Sequence, residues 1–305
     1  MPEMKENKAL LAMSGGVDSS AAGKLLRDAG YDCVGCTMKL YQNEDAGLSR
    51  SRTCCSLEDV EDARSAAFRL GIPYYVFNFT EEFREKVIGK FTASYCQGLT
   101  PNPCIDCNCY LKFGALFRRA ELLGCRYVAT GHYARIDCRD GKYRLRKAAD
   151  EAKDQSYVLY MLTQAQLGRT LFPLGELRKA EVRALAEEAG LGNARKPDSQ
   201  DICFVPDGDY ARVIEYQTGH AAEPGDFVSP EGAVLGRHRG SSAIPWASTG
   251  DWGSPCRSGA MSAASARRAT PLSWGRRRPS TAGRPWRGTS TGSPGNPRPG
   301  PSAAG

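Results

Sequence analysis

The fold of this chain is decided by the stretch S-G-G-V-D-S-S at residues 14–20. The apolar run at residues 9–13 in front of it predicts a short buried strand. The segment behind it predicts a helix whose apolar face carries Ala22, Leu25 and Leu26. Two glycines between strand and helix let the backbone turn tightly and approach a bound group closely. The unpaired N–H groups and the positive dipole end of the helix suit a phosphate or a pyrophosphate.

This loop differs from two common nucleotide-binding motifs. It has neither the G-x-x-x-x-G-K-[ST] of a Walker loop nor the G-x-G-x-x-G of dinucleotide folds. It resembles instead the pyrophosphate loop of the N-type ATP pyrophosphatases, enzymes that cleave ATP to AMP and pyrophosphate while adenylating a substrate. The alternative interpretation is a Ser/Gly turn that only caps a helix.

The length and the charge limit the possible functions. A chain of 305 residues can hold two domains, and its 41% hydrophobic content permits a real core. Residues 241–305 carry nine Arg, one Asp and no Lys or Glu, a net charge of +8. The total of +7 therefore leaves −1 for residues 1–240. Any affinity of this first part for nucleic acid must come from local patches.

The cysteines indicate a reducing compartment. Twelve cysteines in a chain of this size, without a signal peptide or a long apolar span, favour reduced thiols, metal binding or catalysis over disulfides. We therefore expect a cytoplasmic protein without a membrane partner. Cys33 and Cys36 have a C-x-x-C spacing, but residues three apart on a strand point to opposite faces, so we expect both to be core thiols.

Further strands are predicted at residues 33–38, 71–77 and 127–130, and they alternate with helices. This alternation favours a parallel sheet. Gly131 and His132 come directly after the last of these strands, at the carboxyl edge of the sheet where ligands bind. A structural role and a ligand-contacting role for His132 both remain open at this point.

Two later segments carry polar and thiol residues. In T-P-N-P-C-I-D-C-N-C at residues 100–109, the prolines predict an extended loop that can bring two sulfurs to one point, followed by a helix at 112–123. K-D-Q-S-Y at residues 153–157 precedes a predicted apolar helix at 158–162, which Asp154 or Ser156 could cap. Cys203 lies between Ile202 and Phe204, which by itself indicates an ordinary buried thiol.

Together these segments resemble the bacterial tRNA-specific 2-thiouridylase family, from about residue 8 to residue 240. The resemblance is carried by S-G-G-V-D-S-S, C-C-S-L-E-D, L-G-I-P, T-P-N-P-C-I-D-C-N, A-T-G-H-Y-A, K-D-Q-S-Y and K-P-D-S-Q-D-I-C-F. It implies an α/β fold of the adenine nucleotide alpha-hydrolase (Rossmann-like) type, a parallel sheet wrapped by helices, over residues 1–205. It also implies that a central tRNA-binding domain starts at residues 206–240.

The resemblance implies the following site residues. ATP, with Mg²⁺, is expected at Ala12, Met13, Ser14, Gly15, Gly16, Val17, Asp18, Ser19, Met38 and Gly131. The target base is expected at Asn102, Pro103 and Cys104. Further contacts to tRNA are expected at His132, Lys153, Asp154 and Gln155.

The resemblance also implies a route for the sulfur. Cys203 would receive a persulfide sulfur from a donor protein, a sulfur-relay protein or a cysteine desulfurase. The sulfur would displace AMP from the adenylated uridine and leave a disulfide between Cys107 and Cys203. Because the thiolate is the reactive form of cysteine, both sulfurs are expected in a polar, electropositive setting.

Cys104 permits a second interpretation of this chemistry, because many members of the family have Asp at its position. Cys104, Cys107 and Cys203 could together hold three irons of a [4Fe–4S] cluster.

The sequence changes character at residue 241. All four Trp lie beyond it, without any Val, Tyr or Phe, and Arg, Pro, Gly, Ser and Ala dominate. Such a composition is typical of a disordered or nucleic-acid-binding tail.

A third interpretation is a shifted reading frame, because the codons of Asp251-Trp252-Gly253 give Leu-Gly in an offset frame. With permitted synonymous codons, that frame reads Y-T-L-G-Q-H-R-G-L-G-I-P, similar to the family's segment here. We favour this hypothesis, under which the family's C-terminal β-barrel is absent.

Two other functions are weighed against tRNA thiolation. One is another pyrophosphate-loop ligase or amidotransferase, which the pairing of Cys107 and Cys203 with K-D-Q disfavours. The other is a thiol-rich protein that binds metal or nucleic acid without catalysis. Release of pyrophosphate from ATP in the presence of tRNA separates the enzymes from this last class.

Overall fold

Five parallel strands form the central sheet of the protein. The structure, a computed structural model, describes residues 4–42, 57–198, 202–205, 208–221, 224–228, 233–238 and 240. Its strands are β1 (Lys5–Ala12), β2 (Asp32–Lys39), β3 (Tyr74–Asn78), β4 (Cys125–Ala129), β5 (Ala134–Arg139), β6 (Lys142–Lys147), β7 (Thr170–Leu171), β8 (Gly225–Val228) and β9 (Val234–His238). Its α-helices are α1 (Val17–Asp28), α2 (Leu57–Arg69), α3 (Thr80–Phe83), α4 (Gly89–Cys96), α5 (Pro103–Asp106), α6 (Leu116–Leu122), α7 (Gln164–Leu167), α8 (Lys179–Glu188) and α9 (Tyr210–Thr218).

The order of the strands creates a binding crevice. The central sheet runs β3-β2-β1-β4-β7, and every neighbouring pair is parallel. After β1 the chain adds β2 and β3 on one side, and then returns to place β4 and β7 on the other. Ligands of such sheets bind at this switch point, outside the carboxyl ends of β1 and β4. The predicted α/β fold with a Rossmann-like parallel sheet is confirmed.

Two hydrophobic clusters cover the two faces of the sheet. One contains Leu11 and residues of α1, α2 and α8, and the other contains Leu10 and residues of α4, α6 and α9. Cys33 belongs to the first cluster and Cys36 to the second, as expected for strand positions three apart. Burial raises the pKa of Cys33 to about 11 and that of Cys36 further. Both are therefore inert core thiols, as predicted.

The extended loop predicted at residues 100–109 is wrong, because a helix begins there. Pro103 is the first residue of α5, a position that proline favours because its missing N–H would be unpaired anyway. Asn102 caps this helix, with its side-chain oxygen accepting a hydrogen bond of 3.0 Å from the backbone N–H of Cys104. A π-helical stretch, Cys107–Ala115, then joins α5 to α6. The helix predicted at 112–123 is thus the second half of a longer helical segment.

The apolar helix predicted at residues 158–162 is also absent from this described segment, where a single 3₁₀ turn, Ser156–Val158, stands instead. Asp154 accepts hydrogen bonds from the hydroxyl of Ser156 (2.8 Å) and from the backbone N–H of Ala148 (2.8 Å). The carbonyl of Val158 accepts from the side chain of Asn108 at 3.0 Å, so this oxygen is engaged outside the segment. Tertiary hydrogen bonds replace the helical ones.

The last described elements extend the fold beyond the sheet. Val213 and Ile214 of α9 join the core cluster of α4 and α6, and Tyr210 stacks on Tyr95 with ring centroids 5.9 Å apart. β8 and β9 form an antiparallel hairpin. The predicted division of the chain at residues 205 and 206 stays a prediction, and the tail at 241–305 with its reading-frame hypothesis lies outside the described residues. In the described ranges, no helix is long and apolar enough to cross a membrane.

Candidate active site

The segment between β1 and α1 forms a tight loop at the switch point. Gly15 has φ of 77°, in the left-handed region that favours glycine, and a Cβ there would lie 2.3 Å from the carbonyl oxygen of Asp59. Gly16 is the N-cap residue of α1, and no side chain of the described residues caps this end of the helix. The N-terminal N–H groups and the positive dipole end of α1 therefore remain available to an anionic ligand.

Gly131, just beyond the end of β4, closes against the start of α1. A Cβ on Gly131 would lie 2.8 Å from the backbone nitrogen of Ser19 and 2.9 Å from the carbonyl carbon of Asp18. On the other side of the loop, the backbone N–H of Met13 donates to the carbonyl of Cys36 at 2.7 Å. All ten residues predicted to bind ATP thus lie in the loop, in the first turn of α1 or near the carboxyl ends of β1, β2 and β4.

Asp18, in the first turn of α1, is neutralised by a lysine from the distant helix α8. Lys179 Nζ lies 2.7 Å from Oδ1 and 2.8 Å from Oδ2 of Asp18, and the hydroxyl of Tyr133 donates to Oδ1 at 2.8 Å. The Lys179 side chain is only 13% exposed. An ammonium group therefore stands next to the helix start at which phosphate is expected.

The same lysine also binds Asp198. Lys179, Lys153 and Arg183 approach the Asp198 carboxylate at 2.7, 2.8 and 3.0 Å. Burial works to raise the pKa of Asp198, but hydrogen bonds from Lys153 and Lys179 outweigh it and hold the pKa at about 2. Asp198 is therefore ionised at neutral pH and fixes three cations beside the loop.

The residues predicted to contact tRNA are mostly engaged inside the protein. His132 is buried, with Nδ1 2.7 Å from the hydroxyl of Thr130, and burial lowers its pKa well below the usual range. Gln155 and Tyr133 exchange two hydrogen bonds, at 2.9 and 3.1 Å. Asp154 binds the 3₁₀ turn, and Lys153 pairs with Asp198. Their contacts to tRNA stay predictions, and the geometry favours structural roles for His132, Asp154 and Gln155.

The predicted target-base residues form the start of the helix that carries Cys107. Asn102 and Cys104 are exposed, Pro103 is buried, and Cys107 lies one turn further on. Lys90 of α4 fastens this helix with a hydrogen bond of 2.9 Å to Asp106. Because the ammonium group of Lys90 and the carboxylate of Asp106 are both charged, this hydrogen bond links α5 to α4.

Cys107 is buried, unlike the polar thiol that the sequence led us to expect. Burial raises its pKa to about 11, although Lys112 acts in the opposite direction. Desolvation disfavours the thiolate more than the nearby cation stabilises it. Cys107 must therefore become exposed to solvent or substrate before it can react as a nucleophile.

Cys203 lies against the same hydrophobic cluster as Cys107. It is partly buried, and its carbonyl accepts a hydrogen bond from the hydroxyl of Tyr41. The next residue, Phe204, is anchored edge-to-face on Phe91 with centroids 5.2 Å apart. The structure thus holds the two predicted catalytic cysteines on one side of the sheet.

The three thiols of the predicted iron–sulfur site are not arranged to hold a metal. Across the part of the chain that the structure describes, no three His, Cys, Asp or Glu side chains group as metal ligands do. Cys104, Cys107 and Cys203 all belong to this part. The described arrangement therefore does not fit a [4Fe–4S] cluster.

Sequence reasoning missed two residues that contact the loop. Nothing in the sequence around Lys179 indicates a partner 161 residues away. Asn193 lies in no recognised motif, yet its side chain donates to the carbonyls of Gly15 and Gly16 at 2.9 and 3.3 Å. Neither residue has a local signal, because both act through the tertiary fold.

Known proteins resemble this chain over most of the described residues. The family described as tRNA methyl transferase HUP domain matches residues 7–207. The tRNA-specific 2-thiouridylase MnmA of Clostridium acetobutylicum is 52% identical over 76% of this chain and 66% of its own length. MnmA of Xanthobacter autotrophicus is 56% identical over 76% of this chain and 60% of its own length. A solved 4-thiouridine synthetase–RNA complex with bound ATP has a TM-score of 0.41 at 22% identity, over 66% of this chain and 46% of that one.

The family match over residues 7–207 includes the loop, Cys107 and Cys203. The chain itself spans less than two thirds of the length of the two curated relatives, 66% and 60%. The chain belongs to the tRNA methyl transferase HUP domain family, together with the tRNA-specific 2-thiouridylases of these two bacteria.

Proposed function

We propose that this chain replaces the 2-oxygen of the wobble uridine of tRNA by sulfur, at the expense of ATP. One combination of features carries the proposal. A glycine loop precedes the start of α1 at the switch point, and two cysteines lie on one side of the sheet. Its relatives are named tRNA-specific 2-thiouridylases. Because the chain spans less than two thirds of their length, its own substrate and activity are part of this proposal.

The first step activates the uridine. Its 2-oxygen attacks the α-phosphorus of ATP, pyrophosphate leaves, and AMP becomes attached to the base through that oxygen. The N–H groups at the start of α1 stabilise the negative charge on the departing pyrophosphate. Lys179 offers a further positive charge on the same side, since its Nζ already lies 2.7 Å from Asp18.

The second step delivers the sulfur. A donor protein that carries a persulfide transfers its outer sulfur to Cys203, which becomes Cys203–S–SH. The Cys107 thiolate attacks the inner sulfur of this persulfide, so that hydrosulfide is released and the Cys107–Cys203 disulfide forms. Hydrosulfide then adds to C2 of the uridine, and AMP leaves with the original oxygen. A thiol reductant must reduce the disulfide before the next cycle.

Mg²⁺ fits this scheme as a companion of ATP. Magnesium sites for nucleotides usually combine phosphate oxygens with one or two carboxylates. Asp18 in the first turn of α1 is such a carboxylate, and it would hold the ion only after exchanging one of its contacts with Lys179. The ion would neutralise phosphate charge during the release of pyrophosphate. An iron–sulfur cluster has no place in this scheme, because the described thiols are not grouped as its ligands.

Two other functions are less well supported. A different pyrophosphate-loop ligase or amidotransferase would not need Cys107 and Cys203 on the same core cluster. A binding protein without catalysis would not need an uncapped α1 beside Lys179. Membership of a family that contains named thiouridylases favours the proposed reaction over both.

The test separates sulfur transfer from ATP use. The variants Cys107→Ser and Cys203→Ser should each abolish the formation of 2-thiouridine, measured by mass spectrometry of digested tRNA. ATP affinity should remain within about twofold of that of the unchanged chain, because neither thiol belongs to the loop. The exposed Cys138, changed to Ser, is the matched control and should leave thiolation unchanged. If Cys203→Ser still thiolates tRNA, the proposed route of the sulfur is wrong.

A further inference from the structure

We propose that Asn193 is a positioning residue of the ATP site, which orients the pyrophosphate loop for its ligand. The inference rests on the proposed function in one respect, namely that the loop binds ATP. Asn193 Nδ2 donates to the carbonyl oxygens of Gly15 and Gly16 at 2.9 and 3.3 Å, and to the hydroxyl of Ser20 at 2.9 Å. Three acceptors from the loop and the start of α1 therefore converge on one carboxamide.

The direction of these hydrogen bonds determines which way the loop peptides face. In a planar peptide the C=O and the following N–H point in opposite directions. By holding the Gly15 carbonyl, Asn193 therefore turns the N–H of Gly16 away from itself. The Gly16 carbonyl is held by Asn193 together with the hydroxyls of Ser19 and Ser20, at 3.0 and 3.2 Å. Gly15, with φ in the left-handed region, permits the sharp turn that this orientation of the loop requires.

The orientation of the carboxamide follows from chemistry. The flipped carboxamide would place Oδ1 against two carbonyl oxygens, and acceptors do not pair with acceptors. In the observed orientation, Oδ1 accepts no hydrogen bond from the described residues. Water has little access to it, because Asn193 is only 6% exposed. An unsatisfied buried acceptor is unfavourable. The favourable contacts of Asn193 are therefore those of its donor, Nδ2.

The segment around Asn193 is itself held rigidly. Arg183 of α8 donates to the carbonyls of Ala194 and Lys196 at 3.1 and 3.2 Å. Lys196 binds Asp59 and Asp62 of α2, both at 2.6 Å. These contacts tie the segment to two helices that pack on the same face as α1. Asn193 is therefore fixed before any ligand arrives, as a residue that preorganises a binding loop should be.

The inference predicts a selective loss of affinity for the phosphates. Asn193→Asp keeps the shape of the side chain but places a carboxylate oxygen against the carbonyls of Gly15 and Gly16. The loop peptides should then rotate, and ATP should bind at least about tenfold more weakly, the cost of one or two lost hydrogen bonds. AMP, which lacks the pyrophosphate, should lose less than about threefold. The ratio of the two dissociation constants, Kd(AMP)/Kd(ATP), should therefore fall.

This ratio distinguishes positioning from a general structural defect. A partly unfolded variant weakens both nucleotides equally and leaves the ratio unchanged. Leu167→Ala, a cavity in the cluster on the opposite face of the sheet, is the control for destabilisation and should keep the ratio. Asn193→Ala, which removes the donor without adding charge, should lower the ratio by a smaller factor than Asn193→Asp. It also serves as the readout if the aspartate variant does not fold.

Titration calorimetry on the full chain with ATP and with AMP gives all these constants. Suppose that the unchanged chain binds ATP more tightly than AMP. If the ratio Kd(AMP)/Kd(ATP) is then the same in Asn193→Asp and Asn193→Ala as in the unchanged chain, the inference is wrong but the proposed function stands. If the unchanged chain binds ATP no better than AMP, the loop is not a pyrophosphate site. Both the inference and the proposed function then fail.

Discussion

At the scale of single residues, the charge on Asp18 imposes a condition on phosphate binding. A carboxylate in the first turn of α1 is favourable for the helix dipole but repels an anionic ligand at the same place. Lys179 removes this conflict, because its ammonium group lies 2.7 and 2.8 Å from the two oxygens of Asp18. Asp198 in turn holds Lys179 together with Lys153 and Arg183.

We therefore expect Lys179→Met to weaken ATP binding by about tenfold, since it leaves the Asp18 carboxylate uncompensated beside the phosphates. Calorimetry without tRNA measures this directly. Lys153→Met is the matched control, because Lys153 pairs with Asp198 and its side chain is 42% exposed. Its ATP affinity should change less than threefold, on the order expected for an exposed ion pair. Equal losses in the two variants would show that Lys179 has no special relation to the loop.

Cys107 gives a second prediction at this scale, on pH. Burial raises its pKa to about 11, so below that pH the thiolate fraction rises about tenfold with each pH unit. Alkylation of Cys107 by iodoacetamide should therefore be slow at pH 7 and accelerate steadily up to pH 10. Peptide mass spectrometry follows each cysteine separately, and the exposed Cys104 on the same helix should react first. A rate for Cys107 that levels off below pH 9 would contradict its burial.

At the scale of elements, the unit β1–loop–α1 was predictable because its signals are local. The apolar run, the two glycines and the amphipathic helix lie within some twenty residues, and each agrees with the others. The helix at Pro103 was missed because proline was interpreted as a helix breaker, whereas at the first helical position it is favourable. Lys179 and Asn193 could not be predicted, because their partners are 161 and 178 residues away.

A substitution at Gly131 tests the close contact between the end of β4 and the start of α1. In Gly131→Ala the new Cβ would lie 2.8 Å from the backbone nitrogen of Ser19, and neither backbone can give way easily. We expect a loss of about 1–3 kcal/mol in the free energy of unfolding, as for other overpacked sites. ATP should also bind more weakly, because α1 must shift. Urea unfolding and calorimetry give the two quantities.

The control for this prediction is Gly192→Ala, where a Cβ would meet nothing within 4 Å. It should change the free energy of unfolding by less than about 0.5 kcal/mol. If Gly131→Ala is as stable as this control and binds ATP as well as the unchanged chain, β4 and α1 are not in the close contact described.

At the scale of the whole molecule, the proposed nucleotide and sulfur parts of the site belong to opposite faces of one sheet. Val17 of α1 packs in one hydrophobic cluster, and Cys107 packs in the other. A uridine that reacts with both ATP and sulfur must therefore reach the carboxyl edge of the sheet.

Residues 1–240 carry a net charge of −1, so they lack the broad positive field that dominates affinity for nucleic acids. We expect weak tRNA binding, so the reaction needs protein in excess over tRNA.

The central claim is that the 2-oxygen of uridine is adenylated and leaves with AMP. The most direct measurement uses a tRNA with ¹⁸O at C2 of the wobble uridine, together with ATP, Mg²⁺, sulfide and excess protein in a single turnover. Mass spectrometry of the AMP should show one ¹⁸O per molecule, equal in amount to the 2-thiouridine formed. AMP without the label would mean that water or another group attacks ATP. That result, or the absence of any tRNA-dependent AMP, would contradict the account.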